Sequence, residues 1–195
     1  MQSTILHSAN FKTSNWSGGT TTQLFIYPPT AEYLQRNFIF RLSTASVSVE
    51  TSDFTSLPGV TRQLMVLEGE TLLTHDNHHS KKLGKFDIDA FKGDWKTSSI
   101  GRCTDFNLMT KRKAYGELSV LTIEKHQLSE YQTDKKLSWL FIFAFSGKTN
   151  IKSDQETLFL DQGSLLVIKQ PDGTKIVIEG IEKSELIFAE ILMKK

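Results

Sequence analysis

A chain of 195 residues is long enough to bury a substantial core without disulfide or metal staples, as one large domain or two small ones. Its 23 basic and 22 acidic residues nearly cancel, so no broad electrostatic field favours nucleic acid or an anionic membrane as a partner. The single cysteine, Cys103, excludes an internal disulfide and fits a reducing compartment. The N-terminal residues lack the pattern of a signal peptide, and no stretch approaches the ~18 apolar residues of a membrane span, so we expect a cytoplasmic protein.

Short runs of β-branched and aromatic residues alternate with turn-like clusters along the whole chain. There are 13 phenylalanines against 4 prolines and 12 glycines. This pattern predicts an all-β sandwich or barrel. The one helix that we expect is short, over residues 30–36, where Thr30 follows two prolines and could cap a first turn.

Two arginines interrupt the apolar faces of predicted strands. In residues 38–47, Arg41 shares a face with small and apolar residues, because side chains alternate along a strand. Arg62, after the predicted turn at residues 56–59, shares a face with Leu64 in the same way. A buried guanidinium needs compensation. Two interpretations stay open: internal salt bridges with aliphatic stems lying on the core, or a pocket that binds a carboxylate.

The middle of the chain contains glycines and histidines with several interpretations. Gly69 and Gly93 each lie between apolar runs, which is typical of hairpin turns. The only cluster of histidines is His75, His78 and His79, beside asparagine, serine and lysines. Zinc and iron sites need three or four donors at defined geometry, so we interpret this cluster as a solvated polar tract and expect no metal site.

Residues 104–112 alternate cleanly between polar and apolar side chains. Asp105 and Asn107 fall on one face, and Phe106 lies on the other. If the apolar face points to the core, the carboxylate and the amide face water. If the opposite face points into a barrel, they become counterparts of Arg41 and Arg62.

The stretch at residues 126–136 is polar and is the best linker candidate, so we expect a first β-barrel over residues 1–125 and a second β unit over residues 126–195, completed in part by N-terminal strands. A weak internal repeat supports two units: VLEGETLL and FAFSGKTNI share an apolar run, a glycine and a threonine. We also pair the following glycine turns, at Gly93 and Gly163, as equivalent positions.

Several common catalytic motifs are missing from the sequence. It contains neither a Walker loop nor a dinucleotide-binding fingerprint. It also lacks a G-x-S-x-G nucleophile elbow, and no histidine lies near Cys103 in sequence. We therefore assign no catalytic residue.

Four segments together resemble the HutD/Ves family of bacterial proteins: NWSGGTTTQLFIYPP, FRLSTASVSVETSDFTSLPGVTRQLMVLEGE, FKGDW and DFNLMTKR. The resemblance covers most of residues 15–112, with a looser match beyond. It implies a bicupin, with two small antiparallel β-barrel or jelly-roll modules in one chain. Members are associated with histidine-utilisation operons, where a regulatory or ligand-sensing role has been proposed, and others are stress-related.

The resemblance also implies site residues. By position, the strand arginine and serine of the family correspond to Arg41 and Ser43, and the arginine after the proline-glycine turn to Arg62. The family's Asp-Phe-Asn run corresponds to Asp105 and Asn107 with the phenylalanine between them. Gln23 stands at a position where the family has a glutamate. Because HDNHH does not reproduce the H-x-H of metal-binding cupins, we expect a barrel without metal or other cofactor.

The leading hypothesis is therefore a protein that binds a small carboxylate or amino-acid derivative in the N-terminal barrel. Its ligand-binding residues would be Gln23, Arg41, Ser43, Arg62, Asp105 and Asn107. The alternatives are a metal-assisted cupin enzyme, such as a dioxygenase or isomerase, and a protein-interaction module that could form a homodimer through exposed β edges. In each case we expect neither nucleic acid nor membrane as a partner.

Overall fold

The computed structural model describes residues 2–153 and 156–194. Over these residues the chain forms β-strands and one turn of 3-10 helix, Ser8–Asn10. The strands are β1 (Gln2–Leu6), β2 (Lys12–Trp16), β3 (Gly19–Tyr27), β4 (Phe40–Val47), β5 (Thr51–Asp53), β6 (Val60–Gly69), β7 (Thr71–His75), β8 (His79–Leu83), β9 (Ile88–Lys92), β10 (Thr97–Ile100), β11 (Cys103–Lys111), β12 (Ala114–Ile123), β13 (Leu128–Gln132), β14 (Trp139–Ser146), β15 (Lys148–Lys152), β16 (Thr157–Asp161), β17 (Leu165–Lys169), β18 (Lys175–Gly180) and β19 (Ser184–Met193). Within the described ranges, no helix is long and apolar enough to cross a membrane.

The strands form two compact units. The N-terminal unit comprises Phe11–Tyr115 with Lys194, and the C-terminal unit comprises residues 2–10 and Gly116–Met193. The division between Tyr115 and Gly116 precedes the expected boundary at 125/126. Strand β1 pairs with β17, so the first strand of the chain belongs to the C-terminal unit.

The N-terminal unit is a jelly roll of two antiparallel sheets. One sheet has six strands in the order β2-β3-β4-β11-β6-β9, and the other has four in the order β5-β10-β7-β8. From β4 to β11 successive strands alternate between the two sheets, except at the β7–β8 hairpin. Its core cluster joins strands of both sheets and contains Leu64, Val66, Leu73, Leu83, Phe91 and Cys103.

The C-terminal unit repeats this topology. Its sheets have the orders β1-β17-β14-β19-β12 and β13-β18-β15-β16. Strands β12 to β19 therefore follow the same path as β4 to β11, with β15–β16 as the equivalent hairpin. This agrees with the internal repeat read from the sequence.

Gly69 and Gly147 occupy equivalent positions in the two units, and Gly69 does not form the expected hairpin turn. It connects β6 to β7, which lie in different sheets, and Gly147 connects β14 to β15 in the same way. Both have positive φ, +74° and +76°. A Cβ would lie 2.4 Å from the carbonyl oxygen of Arg102 at Gly69 and 2.3 Å from that of Lys183 at Gly147. Glycine is therefore required where the chain crosses between sheets.

Other local predictions were wrong for similar reasons. Gly93 lies between β9 and β10, which also belong to different sheets, so it is a crossing and not a hairpin. It is not equivalent to Gly163, which connects β16 to β17 and matches the β8–β9 connection. The expected linker at residues 126–136 contains β13, which pairs with β18.

The expected helix over residues 30–36 is a series of turns. The side-chain oxygen of Asn37 accepts a hydrogen bond from the Glu32 backbone N–H at 2.8 Å. Arg36 has a φ of 53°, which ends any helical run. Local side-chain hydrogen bonding has replaced the helix.

Candidate functional site

The predicted site residues lie on one face of four adjacent strands, β3, β4, β11 and β6 of the N-terminal unit. Residues that pair directly across antiparallel strands point to the same side of a sheet. The pairing gives three rows across the sheet: Arg41, Met109 and Arg62; Gln23, Ser43, Asn107 and Leu64; and Ala45, Asp105 and Val66. Because Leu64 and Val66 belong to the core cluster, this face points inward.

The inward orientation decides between the two interpretations of Asp105 and Asn107. Both side chains are buried, as are Arg41, Ser43 and Arg62. Gln23 is partly buried at the edge of the group. The polar face of β11 therefore points into the barrel, and the predicted residues are brought together on it.

Arg41 is held by neutral partners. Its Nε donates to Gln23 Oε1 at 2.9 Å and its Nη1 donates to Ser43 Oγ at 3.0 Å. The guanidinium carbon also lies 4.4 Å from the ring centre of Tyr33. Burial lowers the pKa of Arg41, and Tyr33 opposes that shift. No ion pair to a carboxylate is found for this side chain within the described ranges.

Arg62 lies over two aromatic rings that contact each other edge to face, with 6.0 Å between their centres. Its guanidinium carbon is 4.7 Å from the ring centre of Phe54 and 5.1 Å from that of Phe91. Cation–π contacts of this kind stabilise a desolvated guanidinium. Burial lowers the pKa of Arg62 to about 10, while Tyr33 and Asp105 oppose the shift. Arg62 therefore remains charged at neutral pH, although its Nε has no hydrogen-bond partner in the described part of the chain.

Asp105 lies in an environment that disfavours its charge. Burial raises its pKa to about 7, and the charge of Arg62 and a hydrogen bond from Asn107 oppose that rise. One oxygen of each of these two side chains, Asp105 Oδ1 and Asn107 Oδ1, has no partner among the described residues. Unsatisfied buried acceptors cost ~1–3 kcal/mol each, so they are rare without a reason.

The neighbouring thiol is not a nucleophile. Cys103 is buried, and burial together with the charge of Asp105 raises its pKa to about 12. A thiol of this kind is almost wholly protonated at neutral pH.

The histidines differ from the solvated tract that we expected. Strands β7 and β8 form a hairpin in which His75 pairs directly with His79. His75 is buried, and burial lowers its pKa while a hydrogen bond with Asp89 opposes that shift. Nitrogen and oxygen donors of His75, His79 and Asp89 lie within 4.8 Å of one another. His78 is not part of this group and stacks on Trp95, with 3.8 Å between ring centres.

Two surface depressions lie away from the arginines. One of about 460 Å³ is lined by residues 74–80, which form the tip of the β7–β8 hairpin. The other, of about 480 Å³, lies in the C-terminal unit and is lined by residues 135–138 with Gln170 and Asp172. The first brings solvent to the histidine group, whereas the arginine group is enclosed by side chains.

Sequence reasoning missed the aromatic residues around the arginines and the aspartate beside the histidines. Tyr33 lies in the turns before β4, and Phe54 follows β5. Asp89 comes from β9, in the sheet that faces the hairpin. Each is distant in sequence from its partners. The spacing of His75 and His79 around a three-residue loop was the one available signal.

The comparisons show both the fold and the family. A structure of a conserved protein of unknown function from Pseudomonas aeruginosa matches with a TM-score of 0.85 and 23% identity, over 100% of both chains. HutD from Pseudomonas fluorescens matches with a TM-score of 0.76 and 20% identity, also over 100% of both chains. The bacterial pirin YhhW of Escherichia coli, solved with nickel(II), matches at 0.72 and 12% identity, again over 100% of both chains. No match was found among curated proteins.

These structural likenesses identify the two jelly-roll units as cupin modules, so the chain has the bicupin fold that the sequence predicted. The family model for HutD matches residues 8–188, which is nearly the whole chain and includes both units. The chain belongs to the HutD family.

Proposed function

We propose that the N-terminal unit binds a small carboxylate or an amino-acid derivative at Gln23, Arg41, Ser43, Arg62, Asp105 and Asn107. The main support is the state of Arg62, whose buried Nε lacks a hydrogen-bond partner among the described residues. Neither Arg62 nor Arg41 has a carboxylate ion pair there. A ligand carboxylate would supply the negative charge and the acceptor oxygens that a guanidinium fork requires.

The polar groups around the arginines also favour a ligand that carries hydrogen-bond donors. Asp105 Oδ1 and Asn107 Oδ1 are unpartnered acceptors on the same inward face. Along β11, the row of Asn107 lies about 7 Å from the row that contains both arginines, at ~3.4 Å per residue. A ligand with a carboxylate at one end and an N–H group several ångströms away would satisfy both sets, as an amino-acid derivative does.

The solved HutD structure from P. fluorescens is described as a formate condition, so formate is included among the acids to be tested. Membership of the HutD family supports a regulatory role of such binding in histidine utilisation. A role in stress response is the alternative within the HutD/Ves resemblance. The partner that we propose is thus a small molecule. We also propose a cytoplasmic location, because the single cysteine, Cys103, is a buried free thiol and the cytoplasm keeps thiols reduced.

A thermal-shift screen tests the proposal. The panel contains formate, succinate, histidine and the acidic intermediates of histidine degradation. At 100 times its dissociation constant a ligand adds about 2.7 kcal/mol to the free energy of unfolding. We expect at least one acid to raise the melting temperature of the wild type. If no acid in the panel does so at millimolar concentration, the proposal fails.

A further inference from the structure

His75, His79 and Asp89 form a compact group of nitrogen and oxygen donors at one end of the N-terminal unit. His75 Nε2 lies 3.0 Å from Asp89 Oδ2, and His79 Nε2 lies 3.1 Å from the same oxygen. On a tetrahedral metal with bonds of 2.0–2.1 Å, neighbouring donor atoms are about 3.3 Å apart. The two nitrogen–oxygen distances are close to this value, and all the donor atoms lie within 4.8 Å of one another.

The hydrogen bonds of Thr97 fix which nitrogen of His75 carries a proton. The Thr97 hydroxyl donates to the Trp95 carbonyl oxygen at 3.2 Å, so its oxygen accepts from His75 Nδ1–H at 2.8 Å. The lone pair of a neutral His75 then lies on Nε2 and faces a carboxylate oxygen of Asp89. Two acceptors in contact repel each other, so the position between them requires a cation: a proton or a metal ion.

The surroundings of the group favour a metal ion. A ligating histidine commonly donates its other ring N–H to an oxygen, as His75 does to Thr97, and this fixes the ring and its tautomer. Without a metal, Nε2 of each histidine would need its own proton to hydrogen-bond to Asp89, whereas a single metal ion would engage all three side chains at once. The His79 side chain is 39% exposed and borders the depression at residues 74–80, which gives an ion a route from solvent.

We infer that His75 Nε2, His79 Nε2 and a carboxylate oxygen of Asp89 bind a divalent transition metal of the zinc type. Two imidazoles and one carboxylate are a donor set that suits Zn²⁺, Co²⁺ and Ni²⁺. Three protein ligands leave a fourth position open to the depression, where water or another small ligand binds. This position differs from the arginine group, although Phe91 touches both: it lies under Arg62 and 4.4 Å from the His75 ring centre.

Zinc binding by the untagged, chelator-treated protein tests the inference, with Zn²⁺ alone as the probe. Isothermal titration measures affinity, and elemental analysis after gel filtration measures stoichiometry. The test variant is His79→Ala, because this ligand is partly exposed and its removal leaves the core intact. The matched control is His78→Ala, which removes the adjacent histidine that contacts Trp95 and contributes no donor. Co²⁺ in place of Zn²⁺ gives an absorption spectrum that reports the coordination geometry.

We expect the wild type and His78→Ala to bind one equivalent of Zn²⁺. His79→Ala and Asp89→Asn should weaken binding by at least ~10-fold, since the loss of a supporting group alone costs 10–100-fold. Equal binding by the wild type and His79→Ala would overturn the inference, as would an equal loss in His78→Ala. Binding of Zn²⁺ should persist in Arg62→Met, so failure of the carboxylate proposal and failure of the metal site remain distinguishable.

Discussion

Replacement of Asp105 by asparagine should change how the stability of the protein depends on pH. The pKa of Asp105 rises from 3.8 to about 7 in the folded state, chiefly because the side chain is buried. Between pH 4 and pH 7 the folded protein therefore holds a proton that the unfolded chain has released. Folded wild type binds more protons, so its free energy of unfolding falls as pH rises through this window.

The size of the effect follows from the shift. A rise of about 3 pH units, at ~1.36 kcal/mol each, corresponds to roughly 4 kcal/mol as an upper limit. Asparagine resembles the protonated acid and carries no charge at any of these pH values. The stability of Asp105→Asn relative to wild type should therefore increase from pH 4 to pH 8, by up to roughly 4 kcal/mol.

Urea denaturation of both proteins at pH 4, 5, 6, 7 and 8, followed by tryptophan fluorescence, measures this difference. Taking the difference removes contributions from other groups, including His75, whose lowered pKa gives the opposite slope. Asp94→Asn, at an exposed aspartate of the same unit, is the matched control. If the difference between Asp105→Asn and wild type is constant across the range, Asp105 does not hold a proton in the folded protein and the reasoning is wrong.

Two further predictions concern the packing of the N-terminal unit. Gly69→Ala should lower the free energy of unfolding, measured in urea, by more than ~1 kcal/mol, because positive φ is strained and the new Cβ would meet the Arg102 carbonyl. The control Gly59→Ala has a φ of +76° but open space around the new Cβ, so it should lower the free energy of unfolding by less. An equal loss in both variants would contradict the role of close approach. In the folded protein at pH 8, Cys103 should react slowly with iodoacetamide, because burial beside Asp105 raises the pKa of its thiol to about 12. In urea the thiol is exposed and should react quickly. Rapid labelling of the folded protein would contradict the burial of Cys103.

The sequence predicted the strand faces of the site because a strand has a period of two. Within each segment that period shows which residues share a strand face: Arg41 with small and apolar residues, and Asp105 with Asn107. Whether the face of Asp105 and Asn107 points inward could not be read from the sequence, because that depends on the strand pairing. The sequence did not show which strands pair with each other. Whether Gly69 turns a hairpin or crosses to another sheet depends on which strands pair, and alternation contains no information on pairing.

The repeat and the family resemblance supplied the architecture that periodicity could not. Both units place a positive-φ glycine, Gly69 or Gly147, at the same crossing between sheets, which explains why these glycines were the visible part of the repeat. The expected helix over residues 30–36 failed because Asn37 offered the backbone a local hydrogen bond.

The histidine group shows a different limit. His75 and His79 were assigned to a solvated tract from the polar residues between them, but the hairpin places them opposite each other. Their third partner, Asp89, comes from the facing sheet, and no local pattern connects it to the hairpin. The rings around Arg62 were missed for the same reason, since Phe54 and Phe91 approach it through the tertiary fold.

The central claim is that buried arginines of the N-terminal unit bind a carboxylate. Isothermal titration of the acid that most raises the melting temperature, into wild type, Arg62→Met and Arg102→Met, tests it most directly. Arg102→Met is the control, because it makes the same change in net charge as Arg62→Met. Arg102 belongs to the same unit, but 67% of its side chain is exposed.

A hydrogen bond to a charged group contributes ~1.5–3 kcal/mol, which corresponds to at least ~10-fold in affinity. We therefore predict that Arg62→Met weakens binding by at least ~10-fold while Arg102→Met leaves it unchanged. Equal affinity of the wild type and Arg62→Met would contradict the account.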